Sequence, residues 1–170
     1  DLSAANVSIK QLKDLSFNAS EMKTAGFTAP QLVEATYTTT ELKDATFTVP
    51  ELISASVPLV EIKRAGYTVD VIQTAVPSIT VDVLKTIGYS AAEIIPNITD
   101  YSQLSQAGFT INDISSTNLT PTELVNIGYT QADLSTEYTI TDVSSSFPLT
   151  ELVKGYSVDD LSGAGFSFTD

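Results

Sequence analysis

The sequence contains no cysteine, no histidine and no tryptophan, and a single methionine. Together these absences remove thiol chemistry, disulfides, imidazole acid–base catalysis and the usual zinc ligands. Stability must therefore come from packing and hydrogen bonding alone. Basic residues are also scarce: eight Lys and Arg stand against twenty-one Asp and Glu, for a net charge of −13. Binding to nucleic acid or to an anionic membrane surface needs clustered Lys and Arg, so neither is an expected partner. No apolar run approaches the ~20 residues of a membrane span. No targeting segment is visible, and the first residue is Asp, so the chain is expected to be processed or cut from something longer.

What is present is hydrophobic enough to fold: 42% of the 170 residues are apolar. The charge is uneven. Residues 1–85 carry ten acids and seven bases, a net −3, whereas residues 86–170 carry eleven acids and one base, a net −10.

Aligning the chain against itself reveals a ten-residue unit. Full units begin at Val7, Phe17, Phe27, Tyr37, Phe47, Val57, Tyr67, Ile79, Tyr89, Thr99, Phe109, Leu119, Tyr129, Tyr138, Phe147 and Tyr156, sixteen in all. Pro77-Ser78 is a two-residue insertion, and the units at Tyr129, Tyr138 and Phe147 are one residue short. Position 6 is Leu, Ile, Val or Met in every unit. Position 5 is Glu, Gln or Asp in fourteen, with Val71 and Val83 the exceptions. Position 2 is Ser, Thr, Asn or Asp in fourteen, with Pro58 and Pro148 the exceptions.

This pattern spells a capped helix. A hydroxyl at position 2 and a carboxylate three residues later form a capping box, each satisfying the backbone amide of the other. Pro30, Pro50 and Pro121 fall in the first helical turn, where a missing N–H costs nothing. Gly at position 10 suits a left-handed residue that closes a helix. Each unit is thus expected to be a helix of roughly six to eight residues, too short to persist alone.

Alternate units differ. Gly26, Gly66, Gly88, Gly108, Gly128 and Gly165 end even-numbered units, Gly155 is the one glycine ending an odd unit, and the residue after each even unit is aromatic. Position 7 is often Lys in even units (Lys23, Lys43, Lys63, Lys85) and often apolar in odd ones (Val33, Ile53, Ile95, Val153). The expected structural repeat is therefore about twenty residues with two helices, the odd one carrying the wider buried stripe and the even one exposing its Lys. The fold class read from this is all-α, a tandem-repeat α-solenoid forming one continuous array over residues 1–170, with partial units at 1–6 and 166–170. Eight pairs at the usual helix spacing of 8–10 Å would make a rod about 70–80 Å long. A β-solenoid is the main rival, but strands need alternation, and the apolar spacing here is three and five.

The motif Thr-x-x-Glu-Leu-Lys-x-Ala-Gly-Phe/Tyr, running over essentially the whole chain, resembles the decapeptide arrays of large surface and repeat proteins of microbes and giant viruses. The resemblance implies a scaffold or surface role. The later units depart from it by replacing Lys with Ser.

The ends cut through helices, and each lacks what the other supplies. Asp1 and Leu2 at one end, and Phe166, Phe168 and Asp170 at the other, are candidate contacts for head-to-tail docking of further copies into a filament; the alternative is simple truncation of a longer array. Four Asn-x-Ser/Thr sequons occur, at Asn6, Asn18, Asn97 and Asn118. Asn97 and Asn118 lie at unit junctions and are the better candidates for N-linked sugar; Asn18 has a sufficient role as a cap. Ser144-Ser145-Ser146 could carry O-linked glycans. The recurring acids have a complete structural role at the helix starts, and Asp142, Asp159 and Asp160 are only weak candidates for a carboxylate site. No motif for catalysis, metal or cofactor is found. Regular Thr arrays also suggest ice binding, although capping already occupies those hydroxyls. The expected function is a structural repeat protein, a segment or subunit of an extracellular or cell-surface fibre that is glycosylated and whose main partner is itself. The alternative is a solenoid module binding protein or glycan, for which Tyr101 and Phe168, both at position 3, are the candidate exposed aromatics.

Overall fold

A computed structural model describes residues 8–167. Within them every regular element is helical, and the sixteen α-helices recur at the spacing of the sequence repeat. The chain divides into two compact units, one ending at Ile79 and the other beginning at Thr80.

The first unit holds α1 (Ile9–Asp14), α2 (Ala19–Thr24), α3 (Ala29–Glu34), α4 (Thr39–Asp44), α5 (Val49–Ser54), α6 (Leu59–Arg64) and α7 (Val69–Ala75). Helices two apart in sequence stack on one another: α2 on α4 and α4 on α6 in one column, α3 on α5 and α5 on α7 in the other. The twenty-residue period is therefore real, and each turn of the stack contains one helix from each column.

The second unit holds α8 (Val81–Thr86), α9 (Ala91–Ile94), α10 (Ser102–Gln106), α11 (Ile111–Ile114), α12 (Pro121–Asn126), α13 (Gln131–Leu134), α14 (Ile140–Val143), α15 (Leu149–Leu152) and α16 (Val158–Gly163), with a 3-10 turn at Ile95–Asn97. The same stacking joins α8 to α10, α9 to α11 and α12 to α14. Five of these helices are four residues long, shorter than the sequence pattern suggests.

Helix starts follow the capping-box expectation. At α4, the Thr38 amide donates to Glu41 Oε2 at 2.6 Å and the Glu41 amide donates to Thr38 Oγ1 at 3.2 Å. The same reciprocal pair is made by Ser8 and Gln11, Asn18 and Glu21, Ser90 and Glu93, and Thr110 and Asp113. Helix ends are closed by backbone bonds: the position-10 amide reaches back to position 7 and the next position-1 amide to position 6, as in Gly26 to Lys23 at 2.9 Å and Phe27 to Met22 at 3.0 Å. That closure needs a left-handed residue. In the first unit it is adopted by Ser16, Thr36, Thr46 and Ser56 as well as by Gly26 and Gly66. The alternation of glycine thus does not mark an alternation of backbone shape there.

Position 6 forms the spine of the core. Met22, Leu32, Leu42, Leu52, Ile62 and Ile72 in the first unit, and Leu84 through Leu161 at the same position in the second, are fully buried. Position 3 completes the core in α3, α5, α7, α9 and α11 through Ala29, Val49, Val69, Ala91 and Ile111. The wider stripe of the odd helices is thus buried at position 3. Position 7 was the expected place, yet Ile53 and Val153 remain 40% and 49% exposed.

Gly155, the odd-unit glycine, has a specific neighbour. A Cβ on it would overlap the carboxamide of Gln131, a position-3 residue only 4% exposed whose Nε2 has no hydrogen-bond partner. Gly155 therefore makes room for a polar side chain where other units place an apolar one. Gly155→Ala should cost about 1–3 kcal/mol by overpacking, and Gln131→Ala in the same chain should restore most of it. A thermal double-mutant cycle showing additive effects would disprove the coupling.

Candidate functional site

Two side-chain ladders and a recurring groove stand out beyond the core. The first ladder is formed by position-7 lysines. Lys13 Nζ donates to the Thr36 carbonyl at 2.6 Å and lies 4.5 Å from the Tyr37 ring centre. Lys23 donates to the Thr46 carbonyl at 2.9 Å, 4.3 Å from the Phe47 ring. Lys43 donates to the Gly66 carbonyl at 2.9 Å, 5.7 Å from the Tyr67 ring. Lys85 donates to the Ala107 carbonyl at 3.3 Å and to that of Gly108, 4.7 Å from the Phe109 ring. Each ammonium thus caps the end of the helix stacked beyond its own and rests on the aromatic that follows. These half-buried lysines are not the freely exposed ones expected from the sequence. The Lys-to-Ser change keeps the job at α10: Ser105 Oγ donates to the Ile127 carbonyl at 2.6 Å.

The second ladder is formed by position-1 tyrosines, whose hydroxyls reach back one two-helix repeat. Tyr37 donates to the Phe17 carbonyl at 2.5 Å, Tyr129 to that of Phe109 at 2.6 Å, Tyr156 to that of Tyr138 at 2.9 Å, and Tyr67 to that of Phe47. Burial raises the pKa of Tyr37, Tyr67 and Tyr156, and nearby carboxylates add to it. Burial, with Asp113 and Asp133 beside it, pushes Tyr129 up to about 12. The capping carboxylates move the other way. The Thr38 amide holds Glu41 below its ordinary value, and the Thr48 hydroxyl does the same for Glu51.

Between α5 and α7 lies a groove of about 560 Å³, walled by Phe47, Val49, Pro50, Tyr67, Val71 and Ala75, with Lys43 and Asp70 also facing it. The same repeat positions form a groove of about 570 Å³ between α11 and α13. There Asn112 replaces Pro50, Asp133 replaces Val71 and Glu137 replaces Ala75. Sequence reasoning noted Val71 as an exception at position 5 but gave it no role; the signal was an apolar residue where a cap belongs.

Of the sequons, Asn118 is exposed, two residues before the Thr120 cap of α12. Asn97 is half-buried and its amide nitrogen donates to the Glu93 carbonyl at 3.1 Å. Asn18 caps α2 through its side-chain oxygen. Phe166 is half-buried. Asn6, Asp1, Leu2, Phe168 and Asp170 lie outside the described residues. Asp142 and Asp160 are the capping-box acids of Thr139 and Ser157, Asp159 is exposed on α16, and Tyr101 is half-buried just before α10. The structure gathers none of the sequence-nominated acids into a group of three that could hold a metal among the described residues.

The family model described as Decapeptide repeat region matches residues 3–76. This stretch is thus similar to that family of repeats. The match ends one residue before the Pro77-Ser78 insertion, close to where the first compact unit ends. The decapeptide pattern of buried position 6 and capped helix starts recurs in α8–α16. No curated protein and no solved structure matches the chain at a significant level.

The tyrosine ladder predicts a pH dependence. A hydroxyl whose folded pKa lies above the unfolded value of about 10 stabilises the fold below that value, and the contribution is lost as pH rises through the folded pKa. Thermal melts should hold up to about pH 10 and fall steeply towards pH 12, where Tyr129 ionises. Tyr129→Phe should melt lower at pH 8 and show a shallower alkaline fall; an unchanged alkaline profile would contradict the assignment.

Proposed function

We propose that this decapeptide-repeat protein is a structural scaffold, a segment of an elongated extracellular or surface fibre whose principal partner is further copies of the same repeat. The observation that carries this reading is how the recurring polar side chains are spent. The position-2 and position-5 residues close helix starts, as in Thr38 and Glu41. The position-7 lysines and position-1 tyrosines tie one two-helix turn to the next, as in Lys43 and Tyr129. A two-helix turn held by contacts that any further turn can repeat is an extensible building block. Repeated heterologous contacts of that kind produce open filaments.

The net charge of −13 opposes association of copies at low ionic strength. Salt should therefore promote assembly, because screening becomes effective above about 0.1 M. Electron microscopy across a salt series should show uniform filaments lengthening with salt. Intact mass of material from its source should exceed the polypeptide mass of 18.1 kDa if exposed Asn118 carries sugar. Dispersed particles of constant size at every concentration and salt would overturn the fibre reading.

A further inference from the structure

We infer that the groove between α5 and α7 is a binding site for a small aromatic organic cation. The case begins with Val71. Position 5 is the capping acid or amide in fourteen of sixteen units, whereas at α7 the Thr68 hydroxyl is bonded to Asp70 instead. At α7 this position is Val, and the Thr68 side chain makes no cap hydrogen bond to the helix amides. Val71 has not gone into the core in exchange, for it is 40% exposed. Val83, the other apolar residue at position 5, is 37% exposed and stands outside this groove; what sets Val71 apart is that it joins Val49, Pro50 and Ala75 in one apolar wall.

The groove between α11 and α13 serves as an internal comparison. It has the same repeat positions and nearly the same volume, about 570 Å³ against about 560 Å³. It keeps the capping acid, Asp133, and carries Asn112 and Glu137 where the first has Pro50 and Ala75. Backbone geometry is thus not what distinguishes the α5–α7 groove; side-chain differences at its wall are, including Lys43 and Asp70, which stand where the second groove has Ser105 and Ala132. A volume of this size falls within the range of small-molecule sites, which combine an apolar wall with a few polar groups. Phe47 and Tyr67 floor the groove with the small part of each side chain left uncovered, 3% and 9% exposed, and a flat ring is the shape that meets that floor and the Val71 wall together.

Charge selects the sign. Asp70, fully exposed, is the carboxylate facing the groove. The Thr68 hydroxyl, with nearby backbone amides, holds the Asp70 carboxyl below its ordinary value, so it keeps its charge there, while Thr74 Oγ1 donates to the Asp70 carbonyl at 2.8 Å. The Lys43 ammonium is already held by the Gly66 carbonyl and lies beside the Tyr67 ring. An anion would have to draw it away, whereas a cation finds Asp70 and the field of a strongly acidic chain.

A matched set of probes tests this on the full chain: 1-naphthylmethylammonium, 1-naphthylmethanol and 1-naphthylacetate, followed by methyl chemical shifts. The cation should shift Val49, Val71 and Ala75 while leaving Ile111 and Ala132 unmoved, and should bind at least tenfold more tightly than the anion. Val71→Gln removes the apolar wall without changing charge and completes a capping box, as Gln11 and Gln31 do. It should melt no lower than the parent yet bind at least fivefold more weakly. Asp70→Asn should abolish the preference for the cation and keep the methyl shifts. Absence of shifts with millimolar cation, equal shifts in the α11–α13 groove, or undiminished binding by Val71→Gln would each overturn the site. Tighter binding of the anion would overturn its assigned ligand class.

Discussion

A helix of four to seven residues leaves most of its backbone groups without a partner in the same helix, and the rest of this structure depends on how those groups are satisfied. The amides at each start are met locally, by the side chains at positions 2 and 5. The carbonyls at each end are met partly by backbone, as when Phe27 donates to Met22, and partly from a neighbouring turn, as when Lys23 reaches Thr46. Local order and stacking are therefore one problem. A helix cannot be properly ended until its neighbour is in place, and the neighbour's aromatic is also what the lysine stem covers. Burial of position 6 supplies the hydrophobic gain, about 1.5–3 kcal/mol for each fully buried aliphatic side chain.

This coupling explains which positions vary and which do not. Position 6 stays apolar throughout because it is buried in every helix. Position 7 varies among Lys, Ser and aliphatic residues, and where it carries a donor it reaches a carbonyl of the stacked helix end. Lys85 and Ser105 achieve that by different lengths. The acids accumulate in the second half of the chain without disturbing this scheme, since those at position 5 have their charge stabilised by amide and hydroxyl donors, as Asp113 has by Thr110. Where a position abandons its task, as at Val71, the surface it forms acquires a different character.

Much of the fold was legible in the amino-acid sequence because capping is a local code. Thr38 and Glu41 announce a helix start without reference to anything distant, and the recurrence of Leu, Ile and Met at position 6 announces a core. The pairing of helices was also readable, since Gly and aromatic residues alternate with the twenty-residue period. What sequence did not disclose depends on distant neighbours. The lysines were read as exposed because their carbonyl partners lie twenty-three residues away. Ser16, Thr36 and Ser56 gave no sign of a left-handed backbone, because the stack imposes it on residues that would not choose it. Gly155 was visible as an exception, but its reason, the Gln131 side chain, is a tertiary contact. The α5–α7 groove was hidden for the same reason, as its walls come from two helices.

The most direct test of the account is far-UV circular dichroism on peptides spanning two, four and six helices of the first unit, for example residues 47–66, 27–66 and 8–67. If helix ends are completed by neighbouring turns, helicity per residue should be close to zero for the two-helix peptide and should rise steeply with each added pair, with melting becoming cooperative only in the longer ones. A two-helix peptide as helical per residue as the six-helix one would show that capping alone sustains these helices, and would contradict the dependence on stacking.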